Sequence, residues 1–480
     1  MAAHPDFGGQ LVYVRETARA IGRMGHRADI LTRRIIDPAW PEFEGETDSY
    51  PGHPNVRILR IPCGPDRFLP KEELWPYLKQ WTDRIAQRYT EEGGWPDLWT
   101  GHYADGGLSA ALLQEASGVP FTFTAHSLGA WKLDSLIKDF EDSSDGIRAL
   151  DDGYNFGARI QAERTAISRS AAVITNSSVE RLEEYDHPAY RDVADPENNG
   201  RFTVVPPGVN TDIFSIEARS PWEEEVQEKI ECALARDILP ERRGLPAVIA
   251  WSRLDPKKNH LALVRAFVRR PTLREKANLV MITRGLDDPL RDPGAASREQ
   301  QPVLEALISE IEQNGLRGCV SAFSLAGQTT LAALYRWGVE VGGAFCLPAE
   351  HEPFGMTVIE AMAVGLPVVA TRNGGPREIT DNGRAGLLAD PYDPEEIGGQ
   401  LLRLISDRKT WQTCAERGLE RAIKHYNWHR TAENYLHLAR EILGNRPERT
   451  SSLPLPGFVR GSTKLPRLQT WTTARKERIG

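Results

Sequence analysis

The residues best suited to carry chemistry lie between positions 348 and 378, in the run PAEHEPFGMTVIEAMAVGLPVVATRNGGPRE. Apolar residues recur at helical spacing from position 356, so a helix is predicted to begin directly after Gly355. Unpaired backbone amides at a helix start attract phosphate, and a glycine lets a ligand approach the backbone closely. Glu360, inside this helix, could accept hydrogen bonds from a ribose. Glu352, in the loop before the helix, could accept hydrogen bonds from a sugar. The segment therefore indicates a site for a diphosphate-linked sugar.

An E-x7-E spacing alone is weak, because it is far more often an amphipathic helix with one solvated glutamate. The whole segment, however, resembles the donor site of retaining glycosyltransferases of the GT-B type, family 4. The shared parts are E-P-F-G, the second glutamate, G-x-P-V-V-A-T and N-G-G-P-x-E. The resemblance implies an α/β fold of two Rossmann-like, doubly wound domains that face a cleft. It also implies that the donor is bound by Glu352, Phe354, Gly355, Met356, Thr357 and Glu360.

A second motif, SRLDPKKN at 252–259, directly follows the predicted strand 247–251. Ligands bind at such strand-to-helix turns in doubly wound sheets, and Arg253 and Lys258 could both point towards an anion. Alone, the motif could equally be an exposed basic loop. It matches S-R-L-x-x-x-K-N of the same family, whose arginine and lysine neutralise the departing nucleoside diphosphate. The resemblance therefore implies no metal and no other cofactor, with Mg²⁺ not required for binding.

The N-terminal half carries a weaker set of candidates. Gly8, Gly9 and Gln10 open a predicted helix, where backbone amides would lie near the reacting sugar and its acceptor. His126 stands at the end of the predicted strand 121–126 and could hydrogen-bond a hydroxyl of the donor. A single histidine is more often a structural residue, but its place at a strand end favours a functional role.

Further motifs narrow the resemblance to the sucrose-phosphate synthase group. They are H-S-L-G-x-x-K from 126, R-I-x-A-E-R from 159, FLPKEELWPY at 68–77, H-Y at 102 and D-G-G at 105. This similarity covers nearly the whole chain and implies UDP-glucose as donor and fructose 6-phosphate as acceptor. The implied catalytic residues are His126, Glu352, Arg253 and Lys258. The implied acceptor-binding residues are Gly8, Gly9, Gln10, Tyr103, Ser127, Lys132 and Arg159.

The preference for a phosphorylated acceptor depends on Lys132 and Arg159. Two charge-assisted hydrogen bonds, at roughly 1.5–3 kcal/mol each, would favour fructose 6-phosphate over fructose by about a hundred- to ten-thousandfold. The plainer alternative is a surface lysine and a helix arginine paired with Glu163. Three other functions stay open: a mannosylfructose-phosphate synthase, a sucrose synthase that uses free fructose, and a non-catalytic protein that binds a nucleotide sugar.

Strand-like and helix-like segments alternate along the chain, which predicts parallel sheets covered on both faces. We predict an acceptor-binding domain over 1–213, completed by a C-terminal helix at 428–443, and a nucleotide-sugar domain over 214–427. A long helix is predicted over 73–91 and a polar, mobile loop with helical turns over 132–153. Residues 446–480 are predicted to be a disordered basic tail. The first strand of the N-terminal sheet is expected to be missing, because little sequence precedes position 8.

Composition sets broad bounds on function. The chain has 480 residues and a net charge of −8, which gives no general attraction to nucleic acid or an anionic membrane. Small-molecule substrates are therefore the expected partners. Five scattered cysteines indicate a reducing compartment, and the start lacks a signal-peptide pattern, so a cytoplasmic location is predicted. Oligomeric state cannot be read from these features.

Overall fold

The computed structural model describes residues 9–137, 144–198, 200–283, 285–445, 452–460 and 464–468. The chain divides into two compact units, which we call the N-terminal unit (9–206 and 431–468) and the C-terminal unit (207–430). The boundary predicted from the sequence, at 213, lies a few residues further along the chain. Within the described residues, no helix is both long and apolar enough to cross a bilayer.

The described strands of the N-terminal unit form two sheets over one hydrophobic core. A three-stranded sheet has the order β1–β3–β2, and a four-stranded parallel sheet has the order β4–β5–β6–β7. The predicted absence of a first strand concerns residues ahead of α1, and residues 1–8 lie outside the described chain. The elements are α1 Gly9–Arg23, β1 Ala28–Arg33, β2 Thr47–Ser49, β3 Val56–Ile61, α2 Leu78–Glu91, β4 Trp99–His102, α3 Tyr103–Ser117, β5 Phe121–Thr124, α4 Gly129–Ile137, α5 Ser144–Tyr154, α6 Phe156–Arg169, β6 Ala172–Thr175 and β7 Phe202–Val204.

The C-terminal unit contains one six-stranded parallel sheet with the order β10–β9–β8–β11–β12–β13. Strands β8 to β12 are buried along nearly their whole length, as expected of a parallel sheet covered on both faces. The elements are α7 Glu223–Asp237, β8 Ala247–Trp251, α8 His260–Arg269, α9 Pro271–Lys276, β9 Asn278–Thr283, α10 Gln301–Gln313, β10 Val320–Ser324, α11 Gln328–Glu340, β11 Ala344–Leu347, α12 Met356–Ala363, β12 Val368–Thr371, α13 Pro376–Ile379, β13 Leu387–Ala389, α14 Pro394–Ser406 and α15 Arg408–His425. The last α-helix among the described residues, α16, spans Trp428–Gly444 and belongs to the N-terminal unit from Thr431 on.

Several sequence predictions were wrong in detail. The polar segment 132–153 is largely helical, since α4 and α5 cover most of its described residues. The predicted helix 73–91 begins only at Leu78, because Pro76 and its neighbours form two short 3-10 turns, Lys71–Glu73 and Trp75–Tyr77. The polar stretch after Phe214, which the sequence predicts to be part of the link between the two domains, contains helix α7, whose buried positions pack on the C-terminal core.

The largest error concerns the predicted disordered tail. Residues 452–460 and 464–468 are ordered against the N-terminal unit, and they bury Leu455, Phe458, Val459 and Leu468 in its core. Composition alone predicted disorder, because the segment is basic and rich in proline. Four apolar side chains nevertheless find a complementary surface, which sequence periodicity cannot reveal in a segment without regular structure.

Helices α3 and α6 approach each other and β5 closely through small residues. A Cβ atom placed on Gly107 would lie 2.5 Å from the Phe123 ring and 2.8 Å from the Ala166 side chain. Gly106, one position earlier, has only the Gly101 carbonyl carbon nearby, at 3.8 Å. The D-G-G motif therefore contains one glycine that packing requires and one that it does not.

We expect Gly107→Ala to lower the free energy of unfolding by about 1–3 kcal/mol, because the added methyl group overpacks the α3–α6 contact. The matched Gly106→Ala variant should be neutral or more stable by up to about 1 kcal/mol, since alanine favours the helix. Urea unfolding of both variants measures the difference. Equal stability of the two would contradict the close packing at Gly107.

Candidate functional site

The cationic turn after β8 is held by its own side chains. Asp255 caps the turn by accepting a hydrogen bond from the Lys257 amide at 3.0 Å. Asn259 adopts a left-handed conformation, with φ of 56°. Its side-chain amide donates to the carbonyl oxygens of Pro348 at 3.1 Å and Pro391 at 2.7 Å. These bonds tie the turn to the loops that follow β11 and β13.

The two C-terminal motifs predicted to bind one ligand are in direct contact. The Lys258 ammonium lies 2.6 Å from a carboxylate oxygen of Glu352, and both side chains are only partly exposed. The Glu350 amide also donates to the Lys257 carbonyl at 2.9 Å. The lysine of the first motif and the glutamate of the second therefore belong to a single site.

A third segment, N-G-G at 373–375, closes against the same loop. The Glu352 amide donates to the Asn373 carbonyl at 3.1 Å, and the Gly375 amide donates to the Glu352 carbonyl at 2.9 Å. A Cβ atom on Gly374, where φ is 97°, would lie 2.1 Å from the Glu352 carbonyl oxygen. Only glycine can therefore occupy position 374 without moving this loop.

The loop leads into α12, whose first amides are candidates for phosphate binding. Gly355 has φ of 108° and precedes the helix, and Met356 and Thr357 are partly exposed in its first turn. The Phe354 side chain instead packs in the core against Tyr426, with ring centroids 5.9 Å apart. Phe354 could thus reach a ligand only through its backbone.

The remaining donor candidates differ in exposure. Glu360 is buried in α12, close enough to Tyr335 that burial and then this carboxylate raise the pKa of the tyrosine. The Arg253 side chain is exposed and makes no hydrogen bond or ion pair with another described residue. An exposed guanidinium beside the Lys258 turn is suited to bind an anion from solution.

His260, at the start of α8, anchors the base of the cationic turn. Its Nε2 atom lies 3.0 Å from the Ser252 hydroxyl, whereas its buried Nδ1 atom has no hydrogen-bond partner. Burial, followed by the nearby Lys258 ammonium, lowers the pKa of His260 to about 4. The imidazole is therefore neutral at pH 7 and couples the turn to the sheet.

In the N-terminal unit, one cavity collects three of the predicted acceptor residues. Its free volume is about 10 Å³, roughly the space of one water molecule, and charged and aromatic side chains surround it. The lining residues are Lys71, Glu72, Trp75, Tyr103, Asp105, Lys132, Tyr154, Phe156 and Arg159. Sequence reasoning assigned Tyr103, Lys132 and Arg159 to acceptor binding, and the structure brings them together here.

Arg159 is fixed in this cavity by a buried network around Glu163. The Arg159 guanidinium donates to Glu163 at 2.9 Å and to the Ser127 carbonyl at 2.7 Å, and it lies 4.5 Å from the Tyr103 ring centroid. Burial alone would lower the pKa of Arg159, but Glu163, together with Tyr103 and Tyr190, outweighs burial and raises that pKa. Arg159 therefore pairs with Glu163, as the plainer alternative predicted, and it also lines the cavity.

The same carboxylate positions the H-S-L-G loop. The Gly129 amide donates to both oxygens of Glu163 at 2.9 Å, and the Tyr190 hydroxyl donates to one of them. A Cβ atom on Gly129 would lie 3.0 Å from the Arg159 stem. The motif's glycine therefore leaves room for the arginine.

Sequence reasoning missed several lining residues, including a cation and an acid. Lys71 lies on the first 3-10 turn, and its ammonium is 3.5 Å from the Glu72 carboxylate. Burial raises the pKa of Asp105 even though Arg159 and Lys71 act to lower it. Both residues fall within motifs that carried the narrower resemblance, at 68–77 and 105–107. Those motifs indicated the family, but they did not indicate a role for Lys71 or Asp105.

His126 is paired with a second histidine. Its Nε2 atom lies 3.0 Å from Nδ1 of His102, and the Tyr13 ring packs edge-on against His126 with centroids 5.0 Å apart. Burial lowers the pKa of His102 to about 4, and burial together with His102 lowers that of His126. His126 also has φ of 57°, a strained conformation for a residue with a side chain. It is therefore a neutral imidazole in a defined orientation.

The other predicted acceptor residues lie outside the cavity lining. Gly9 is the exposed first residue of α1, and Gln10 follows it. Gly8 lies outside the described residues. Ser127 contributes its carbonyl oxygen to Arg159 and does not line the cavity.

Two family models match this chain. "Glycosyl transferase 4-like domain" covers residues 8–191, and "Glycosyl transferases group 1" covers residues 234–421. The chain is 37% identical over 438 residues to a probable sucrose-phosphate synthase of Thermosipho melanesiensis, covering 91% of this chain and 92% of that protein. It is also similar to plant sucrose-phosphate synthases, for example those of maize and spinach, but spans only 45% of their length.

Solved structures share the fold. The sucrose-phosphate synthase of Thermosynechococcus elongatus superposes with a TM-score of 0.67 at 23% identity, covering 91% of this chain and 94% of that one. Anabaena HepE, solved in complex with UDP-glucose, superposes with a TM-score of 0.59 at 17% identity, covering 91% and 97% of the two chains. The fold is therefore GT-B, as the sequence predicted.

We expect the stability of the C-terminal unit to fall in mild acid because of His260. This imidazole has an ordinary pKa of 6.5 in the unfolded chain and about 4 when folded. The unfolded chain therefore binds more protons as the pH falls from 6.5 towards 4, and by pH 5 folding loses roughly 2 kcal/mol of stability from this group.

Urea unfolding at pH 7.5 and 5.0 measures this loss. His260→Gln, which can keep the hydrogen bond to Ser252, should lose less stability between the two pH values than the wild type. The exposed His437→Gln serves as control and should lose as much as the wild type. An unchanged pH dependence in His260→Gln would rule out the role of this histidine.

Proposed function

Because this chain belongs to the sucrose-phosphate synthase family and is a glycosyltransferase of sucrose synthesis, we propose that it transfers glucose from UDP-glucose to fructose 6-phosphate. The products would be sucrose 6-phosphate and UDP, and the anomeric configuration would be retained. One observation carries the proposal: Lys71, Lys132 and Arg159 line the same cavity of the N-terminal unit. Three cationic side chains around a small cavity are suited to a phosphate group.

The cavity distinguishes a phosphorylated acceptor from a neutral sugar. Arg159 is paired with Glu163 and Lys71 with Glu72, so a ligand phosphate would share these cations with existing carboxylates, and Lys132 would add a third positive charge. Lys132 lies 5.1 Å from the Tyr154 ring centroid, which gives its ammonium a defined place in the wall. Asp105 and Tyr103 offer polar groups for the sugar hydroxyls.

The C-terminal unit supplies the proposed donor site. The first amides of α12 and the ammonium of Lys258 would bind the diphosphate, with Arg253 recruited from solvent. Because Lys258 is paired with Glu352, diphosphate binding would redirect the lysine and leave the carboxylate for the glucose hydroxyls. Glu360 would accept the ribose hydroxyls. UDP-glucose bound to Anabaena HepE, a protein of the same fold, supports a nucleotide sugar as donor.

The chemistry proposed for these residues is stabilisation of the leaving group. As the bond between glucose and the diphosphate breaks, negative charge grows on the departing phosphate, and Arg253 and Lys258 would balance it without a metal. The attacking acceptor hydroxyl gives its proton to that phosphate. His126, neutral and held by His102, would hydrogen-bond a glucose hydroxyl.

We further propose a cytoplasmic location, since all five cysteines are free thiols, the state that a reducing compartment maintains.

For the acceptor, we expect Lys132→Ala to lower the preference for fructose 6-phosphate over fructose by about ten- to a hundredfold, the loss of one charge-assisted hydrogen bond. The ratio of the two kcat/KM values measures this preference. Lys79→Ala, an exposed lysine of the same unit, is the control and should leave the ratio unchanged. An unaltered ratio in Lys132→Ala, or no preference in the wild type, would remove the phosphate assignment.

For the donor, Arg253→Ala should weaken UDP binding by about ten- to a hundredfold, since one charge-assisted contact to the diphosphate is lost. Calorimetric titration with UDP in EDTA measures the affinity and tests metal independence in the same experiment. Arg265→Ala, another exposed arginine of this unit, should bind UDP like the wild type. Binding that disappears in EDTA would contradict the proposed role of the cationic side chains.

A further inference from the structure

The C-terminal segment that was predicted to be disordered packs directly behind the acceptor cavity. We call residues 452–460 and 464–468 the C-terminal strap. Its first part is fixed to the end of α6, because the Leu453 amide donates to the Ser168 hydroxyl at 2.8 Å and Arg169 donates to the Leu453 carbonyl at 3.3 Å. Arg460 adds an ion pair to Glu115 at 3.3 Å. The strap is therefore an integral part of the N-terminal unit.

The strap supports the turn that carries Lys71. Phe458 packs edge-on against Trp75, with ring centroids 6.2 Å apart and planes at 89°. Both side chains are buried, and Trp75 lines the cavity on its other side. Lys71 and Trp75 lie on consecutive 3-10 turns, which are short and have poor hydrogen-bond geometry. Packing by Phe458 supplies the rigidity that these turns lack.

A second strap contact lies at the start of α6, next to another residue of the cavity lining. Asp151 accepts from the Leu468 amide at 3.2 Å and from the Gly157 amide at 2.9 Å, so it joins the strap to the start of α6. A Cβ atom on Gly157 would lie 2.2 Å from the Pro466 carbonyl oxygen. The residue before Gly157 is Phe156, which lines the cavity. Close packing against the strap thus sets the position of this aromatic wall.

We propose that the C-terminal strap is a positioning element for acceptor binding. By holding Trp75 on one side and the start of α6 on the other, it fixes the distance between Lys71 and the aromatic residues of the cavity. The strap contributes no side chain to the cavity lining. It acts through residues that do, and the inference rests on the proposed function of the cavity as acceptor site.

Two point variants of the full-length chain test the proposal. Phe458→Ala removes the support of the Lys71 turn, and Gly157→Ala pushes Pro466 away from α6. Each should raise the KM for the acceptor about tenfold, the equivalent of one charge-assisted contact. The kcat at saturating acceptor and the affinity for UDP should stay close to wild type. Phe458→Leu, which keeps most of the apolar contact, should restore a KM near the wild-type value.

Matched controls separate positioning from stability. Gly153→Ala also lies beside a cavity aromatic, Tyr154, but its methyl group would meet nothing within 4 Å, so the acceptor KM should not change. Leu455→Ala removes another buried strap side chain, next to the α6 end, and should reduce thermal stability without changing KM. If Phe458→Ala and Leu455→Ala lose stability alike and both keep the wild-type KM, the strap is only a structural cover and the proposal is wrong.

Hydrogen exchange gives an independent test. Because coupling between two sites is reciprocal, adding the acceptor to the wild type should slow amide exchange in residues 452–468 as well as in 71–77. Protection of 71–77 without any protection of the strap would overturn the positioning role. The acceptor is whichever of fructose 6-phosphate and fructose the wild type uses with the lower KM. A wild type that prefers fructose would therefore refute the phosphate assignment, while the strap variants would still test the strap.

Discussion

The acceptor cavity depends on one buried carboxylate. Glu163 is fully buried and receives hydrogen bonds from Arg159, from the Gly129 amide and from Tyr190. An isolated buried charge is costly, so these partners must stay in place for the folded state to tolerate it. Their arrangement aligns α6, the H-S-L-G loop and the cavity wall in a single geometry. The pairing of Arg159 with Glu163, which the sequence offered as the alternative to a functional role, fixes Arg159 in the wall of the proposed acceptor cavity.

In the C-terminal unit, the elements of the proposed donor site are also joined by polar contacts, here around an ion pair. Backbone hydrogen bonds join the turn after β8, the loop after β11 and the N-G-G segment after β12, and the Lys258–Glu352 ion pair lies at their junction. All three segments follow the carboxyl ends of neighbouring strands in one sheet, where ligands of doubly wound folds bind. The site is therefore preorganised, except for Arg253, which remains exposed and able to adapt.

The proposed donor and acceptor sites also differ in the kind of element that positions their residues. Regular elements and glycine-mediated close contacts position the donor residues, whereas part of the acceptor wall consists of short 3-10 turns. Packing from a segment more than 350 residues away in sequence compensates for this weakness at Trp75. This explains how a proline-rich, irregular segment can be ordered: its few apolar side chains are matched to an existing surface, and its hydrogen bonds go to α6 and Asp151.

The sequence alone determined the fold class and most strands, because a buried parallel strand is a short apolar run that tertiary context rarely changes. It also predicted candidate site residues wherever motifs carry unusual chemistry, and the structure places Lys258 beside Glu352 and Lys132 in one cavity lining with Arg159. Tertiary structure decided what those residues touch. The Lys258–Glu352 pair, the His102–His126 pair, the inclusion of Lys71 and the ordered strap all join positions far apart in the chain. Such contacts depend on complementary surfaces, and no local pattern of residues encodes them.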